Sequence, residues 1–485
     1  MNCVVVICCI AFVAHGADLD SDLAAALKQV GFTGQAEERL EARLGRPVDH
    51  NLADLGRLVF FDKITGLHSD NSCAGCHAPT AGFGDTQSIA IGVQNNNSVG
   101  PKRQGPRNQR RTPMLVNDAF FPKLMWNGRF SAPSRDPFDN SQGFEFPAPE
   151  GKTRFQPRDP LIRHLLAAQA HIPPTELTEA AGFTGTADNI DPASLAVFDD
   201  GKGSVVPPPD DSGYRNEPIR QAVLERLNAS RAYRGLFASN FSEIAAGAPI
   251  DFTMVGRAIA EFQFTLVFAN APVDRFARGE RTAMTDGMKR GAMLFLGKAG
   301  CVRCHAASNE MFSDFENYNI GVPQIAPFFG FRSGNVIFDG PGGNEDFGAE
   351  QISMDESDRY KFRTAPLRNT ALQPAFMHNG AFTRLEDAIR HHLDPALSAR
   401  RYNPVAAGVA EDLTYSLAPS EEMLARLDPR MTQPVTLSHN EFEDLLEFVR
   451  DGLLDARARP QRLCALIPAV LPSGMPLQRF QGCQR

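Results

Sequence analysis

One pattern, five residues long and present twice, constrains this chain more than any other feature. It reads Cys73-Ala74-Gly75-Cys76-His77 and again Cys301-Val302-Arg303-Cys304-His305. Cys-x-x-Cys-His sets two thiols to form thioethers with the vinyl groups of a haem, and the adjacent histidine to ligate its iron. A zinc site is the rival, but it would want a second Cys or His pair beside each motif, and neither has one. The expectation is therefore two covalently bound haems c, with Cys73, Cys76, Cys301 and Cys304 as attachment points. His77 and His305 are then the proximal iron ligands.

With 485 residues the chain can build two domains, each burying its own core. A net charge of −8 argues against nucleic acid or an anionic lipid surface as a partner. Residues 1–16 form a short apolar run ending in small residues, which reads as a signal peptide cleaved near Gly16, although a basic start is missing. A buried N-terminal helix is the alternative. No other stretch approaches the ~20 apolar residues of a membrane span, so an exported, periplasmic protein is expected. Cys3, Cys8 and Cys9 would leave with the signal peptide. Cys464 and Cys483 then remain as an expected disulfide pinning the tail, or as two free thiols.

Apolar residues recur at helical spacing in Glu38–Asp62 (broken at Pro47), Ile219–Phe237, Phe252–Phe268, Met284–Leu296, Leu385–His392 and Glu441–Leu454. Residues 81–113, 182–213 and 309–356 read as loops, the second as a domain boundary or an exposed insertion. Helix, motif, long loop and later helix occur in that order twice. The fold class expected is mostly α, two cytochrome c-like haem domains with long irregular loops. The divisions are 17–215 for the first haem domain, 216–460 for the second and 461–485 for a tail.

Function depends on what faces the other side of each iron, since a closed iron transfers electrons and an open one can bind peroxide. In the helix from Leu385, residues Leu385, Ala388, Ile389 and His392 share one apolar face, which makes His392 the candidate second ligand to the His305 iron. His391 is expected on the polar face with Asp387 and Arg384. No histidine lies between His77 and His164, which leaves the first iron open.

From about Leu52 to Leu454 the chain resembles the bacterial di-haem cytochrome c peroxidases and their MauG relatives. The resemblance rests on Leu55-Gly56-Arg57-Leu58, on Arg111-Thr112-Pro113 with Asn117, and on Trp126-Asn127-Gly128-Arg129. Phe362-Arg363-Thr364-Ala365-Pro366-Leu367-Arg368-Asn369 and Met377-His378-Asn379-Gly380 extend it. It implies a peroxide-reactive haem in the N-terminal half, an electron-relay haem in the C-terminal half, and Trp126 between them. His392 occupies the position of the family's Met or Tyr ligand, fourteen residues after His378, so the relay haem is expected to be bis-histidine and of lower potential. The removable distal histidine of the peroxidases has no counterpart in Thr86–Gly100, so no reductive activation is expected. Arg111 replaces the family's calcium-binding Asn, which makes calcium doubtful, although Gln373 and Ala375 could still offer carbonyls.

Heterolysis of a peroxide needs a group to move a proton. The resemblance points to Glu150 or Glu145 for that role, with Asp136 as a third choice. The functions implied are reduction of hydrogen peroxide, with electrons from a c-type cytochrome or cupredoxin, or MauG-like oxidation of side chains on a partner protein by high-valent haems. A pure electron carrier with both irons closed is the reading from a different class.

Overall fold

The structure, a computed structural model, describes residues 18–186, 196–327 and 345–483. The expected signal peptide and parts of the 182–213 and 309–356 loops fall outside those residues. The described chain is mostly helical, with four two-stranded ladders and long connecting loops.

Each motif hangs from a helix that ends shortly before it, and each such helix is pressed on a second one at a glycine. The helix His50–Phe61 starts at Asp49, whose carboxylate accepts from the N–H groups of Asn51 and Leu52. Its buried stripe of Leu52, Leu55, Val59 and Phe60 faces the helix Phe252–Phe264. At Gly56 a Cβ would stand 1.8 Å from the carbonyl oxygen of Ala258, so only glycine lets these backbones meet. The second motif repeats the device. The helix Asp286–Leu296, capped by Thr285, packs on the helix His439–Glu447, and a Cβ on Gly291 would lie 2.0 Å from the carbonyl of Asp444.

These pairings show where the cores sit. The core around the first motif joins residues of the His50 helix to Ile219, Val223, Tyr233, Phe237 and Phe262. The core around the second joins the Asp286 helix to Leu23 and Leu27 of the N-terminal helix Leu19–Gln29. A division of the chain at 215/216 therefore does not coincide with the division of the cores. Segments from both sides of it build each half.

The helix expected over Ile219–Phe237 is two, Asn216–Ala229 and Arg231–Ala238. Ser230 between them is extended, and its hydroxyl caps the second helix by accepting from Tyr233 N–H. The Glu441 helix starts earlier, at His439, because Ser438 and Glu441 form a capping box. Cys464 and Cys483 form the expected disulfide, Cα–Cα 5.4 Å. It closes a tail that returns to the first half. There Arg479–Phe480 pairs in parallel with Ser98–Val99, and Gln478 accepts from Ser72 Oγ at 2.8 Å, next to Cys73.

Candidate haem sites

Two large cavities surround the motifs. About 2700 Å³ of space adjoins Cys73, Cys76 and His77, and about 1810 Å³ adjoins Cys301, Cys304 and His305. Arg111, Met114, Phe121, Trp126 and Arg363 line both, so the cavities share a wall.

The imidazoles are oriented alike. His77 Nδ1 meets the carbonyl of Phe83 at 3.0 Å, His305 Nδ1 that of Phe312 at 3.1 Å, and His392 Nδ1 that of Ala388 at 2.8 Å. A ring nitrogen facing a carbonyl must carry the proton, which leaves Nε2 of each ring as the free lone pair a metal requires. Burial pushes His77 and His305 down to about 4, so each ring is neutral.

Across the second cavity, His305 and His392 stand with ring centroids 6.0 Å apart. Two metal–nitrogen bonds of about 2 Å plus half a ring on each side give roughly 6 Å, so the gap suits one iron. Leu385, Ala388, Ile389 and His392 all line this cavity, as one helical face should. His391 does not lie on an exposed polar face. It is fully buried, with Nε2 2.9 Å from the carbonyl of Ile320 and Nδ1 3.1 Å from Ser398 Oγ, because the 320 and 395–400 segments cover that side of the helix.

In the first cavity His77 is the only histidine in the lining among the described residues. Met114 and Met125 are its thioethers. Met114 packs at Gly82, next to the Phe83 carbonyl that holds His77, and so lies on the His77 side.

Polar atoms without partners mark both cavities as built for a polar-edged guest. Arg363 is buried and lines both, and it donates only to the carbonyls of Met125 (3.0 Å) and Thr364 (3.2 Å). No carboxylate pairs with it among the described residues. A desolvated guanidinium of this kind suits an anion such as a haem propionate. His378, stacked 3.5 Å over Phe362 in the second cavity, has no partner at either nitrogen. Arg129 Nε, Asp118 Oδ1 and Gln263 Oε1 are orphans of the first cavity. The residues present thus fit two haems, one per cavity.

Trp126 stands in the shared wall, and its indole N–H donates to the carbonyl of Arg111 at 2.8 Å. The Arg111 guanidinium is buried and donates to Gln373 Oε1 at 3.0 Å and to the carbonyl of Asp85 at 3.1 Å. Gln373 also donates to the carbonyl of Ala81. Its side chain is therefore committed to protein groups.

The carboxylates expected to move protons lie elsewhere. Glu150 is buried, but behind the cavity wall, held by Arg220 at 2.9 and 3.2 Å and by Arg154 at 3.1 Å. Glu145 is exposed and accepts from Ser131 Oγ at 3.2 Å. Phe144 and Phe146 are buried while Glu145 between them points out, the alternation of extended chain, so the two rings do not surround it. Asp136 pairs with Arg43. The carboxylates that line the first cavity are instead Asp118, Glu176 and Glu179, among the described residues. Glu179 is pushed up to about 7 by burial and by Glu176, against the pull of Arg129. Sequence spacing gave no sign of these three. The signal available for Asp118 and Gln263 was a polar residue set inside an apolar run.

Two haem cavities that share a tryptophan wall define a di-haem c-type cytochrome. The profile of the family described as di-haem cytochrome c peroxidase, CCP_MauG, matches residues 50–282. The methylamine utilization protein MauG of Methylorubrum extorquens is 28% identical over 364 residues, 73% of this chain and 74% of that protein. A cytochrome-c peroxidase (IdrP1) of Pseudomonas sp. strain SCT is 25% identical over 349 residues, 69% of this chain and 70% of that one. In fold the chain is similar to the diheme peroxidase BthA of Burkholderia thailandensis, with a TM-score of 0.53, 19% identity and coverage of 89% and 91%. The match over residues 50–282 and these relatives support membership of the di-haem cytochrome c peroxidase and MauG superfamily, and the chain is an oxidoreductase.

Proposed function

We propose that this protein reduces hydrogen peroxide at the His77 haem and draws the electrons through a bis-histidine His305/His392 haem. The observation that carries the reading is the inequality of the two cavities. One holds a facing pair of imidazoles 6.0 Å apart, the other, among the described residues, a single imidazole in a larger space. Haem bound there, attached through Cys73/Cys76 and Cys301/Cys304 in the periplasm, supplies the electron-transfer and peroxide chemistry.

The chain's own residues do the rest. Phe83 and Phe312 carbonyls fix the tautomers of His77 and His305. Trp126 bridges the cavities, held by Arg111. Arg111 places a permanent positive charge in the shared wall, where no calcium is then needed. Electrons arrive from a small redox protein such as a c-type cytochrome or cupredoxin.

Two observations favour competing readings. MauG proteins among the relatives favour oxidation of a partner protein's side chains. Met125 in the first cavity could close that iron and leave an electron carrier. Steady-state consumption of peroxide with a reduced cytochrome or dye is the test. Turnover sustained without prior one-electron reduction supports the peroxidase. A single slow oxidation with no turnover points to a protein substrate, and no reaction to the carrier.

A further inference from the structure

Asp118 and Gln263 share an unusual condition in the first cavity. Both are nearly fully buried, 2% and 3% exposed, both line the cavity, and each has a side-chain oxygen with no hydrogen-bond partner. They come from elements packed together. Asp118 opens the turn Asp118–Phe120, which sits on the end of the helix Phe252–Phe264 that carries Gln263. Next to it, Asn117 N–H donates to the carbonyl of Leu266 at 3.2 Å, and Asn117 Nδ2 to that of Phe268 at 3.0 Å.

An orphan oxygen buried this deeply is costly unless something fills the space. No guanidinium or ammonium pairs with Asp118 among the described residues. The charged side chains in the same lining are Arg129, paired with Glu176 at 3.6 Å, Arg110 on Asp346, Arg111, Arg363 and Glu179. Burial without a counter-charge pushes the Asp118 carboxyl well above the ordinary range and so favours its protonated form.

Resting on the peroxidase reading above, we propose that Asp118 is the proton-transferring catalytic residue of the first cavity, with Gln263 as the acceptor that orients the peroxide. A peroxide has two O–H donors and two acceptor oxygens, which a carboxylic acid and an amide oxygen complement. When the O–O bond breaks, the departing oxygen takes the Asp118 proton and leaves as water. The carboxylate recovers a proton from the other peroxide oxygen. That oxygen leaves as a second water after taking two electrons from the reduced donor protein and two protons from solvent.

The test uses the full holoenzyme with both haems. In single-turnover mixing with hydrogen peroxide, Asp118→Asn is expected to react about 100-fold more slowly than the parent. The exposed Glu145→Gln is expected to match the parent. If Asp118→Asn fails to retain both haems, Gln263→Leu carries the measurement, with a smaller loss expected.

A second readout needs no peroxide. Carbon monoxide on the reduced protein should show a C–O stretch that shifts between H₂O and D₂O, because Asp118 donates to it, and Asp118→Leu should abolish that shift. An Asp118→Asn rate equal to the parent's, or a stretch indifferent to D₂O in the parent, overturns the assignment. If the parent does not turn over peroxide but keeps the D₂O-sensitive stretch, the placement of Asp118 holds and the peroxidase reading falls.

Discussion

The same five-residue motif serves both halves of this molecule, and the two halves use it differently. Around His305 a second imidazole, His392, stands opposite, and the helix carrying it presents Leu385, Ala388 and Ile389 to the same cavity. Around His77 the cavity lining holds no second histidine among the described residues, the space is larger, and buried oxygens of Asp118 and Gln263 have no partner there. The proximal arrangement is nearly identical, one Nδ1 on a phenylalanine carbonyl in each case. On the proposed reading, the motif fixes attachment, while the residues facing it divide the work into a relay and a reaction site.

The largest effects come from exchanging those facing groups. His392→Ala should convert the second haem from low spin to high spin and make both irons accessible to added ligands, read by the visible spectrum of the oxidised protein. His77→Ala should remove peroxide turnover while leaving the His305/His392 signal in place. If His392→Ala leaves the spectrum unchanged, the two sites do not differ in the way argued.

The next effects concern what holds each half. In the second half Arg368 and Asp274 form a fully buried two-pronged pair, at 2.7 and 2.6 Å. Arg368→Met leaves the carboxylate alone and should cost about 3–5 kcal/mol, measured by denaturant unfolding. In the first half the disulfide joins cysteines at a sequence separation of 19, and Cys464→Ser with Cys483→Ser should cost about 3 kcal/mol. The loss should fall on the first haem, because the tail docks at Ser72 and at Ser98–Val99. An equal disturbance of both haems by the serine pair would contradict the separation of the halves.

The smallest effect is electrostatic and again confined to the first half. His68 lies 3.0 Å from Asp70 and 3.1 Å from Asp200. Burial alone would lower its pKa, but the two carboxylates outweigh burial and raise it. A raised folded-state value stabilises the fold fully below the unfolded value of about 6.5, and that stability is lost as pH rises through the folded value. The parent should therefore lose stability between slightly acid and alkaline pH relative to His68→Asn, in paired melts.

Much of this was legible in the sequence, for reasons that differ by residue. The two Cys-x-x-Cys-His motifs are local, and the place of His392 in the lining of the second cavity followed from helical periodicity. The disulfide followed from counting cysteines. What sequence could not carry is the long-range pairing at Gly56 and Gly291, which meet Ala258 and Asp444 on helices distant in the chain. The same holds for Glu150, whose partner Arg220 is seventy residues away, and for His391, whose helix face is covered by remote segments.

Low-temperature electron paramagnetic resonance of the resting diferric protein tests the central claim most directly. The account predicts one high-spin ferric signal from the His77 haem and one low-spin, bis-histidine signal from the His305 haem, in equal amounts. Two low-spin signals would contradict it, and would mean that the first iron is closed by another side chain, Met125 being one of the two thioethers in its lining.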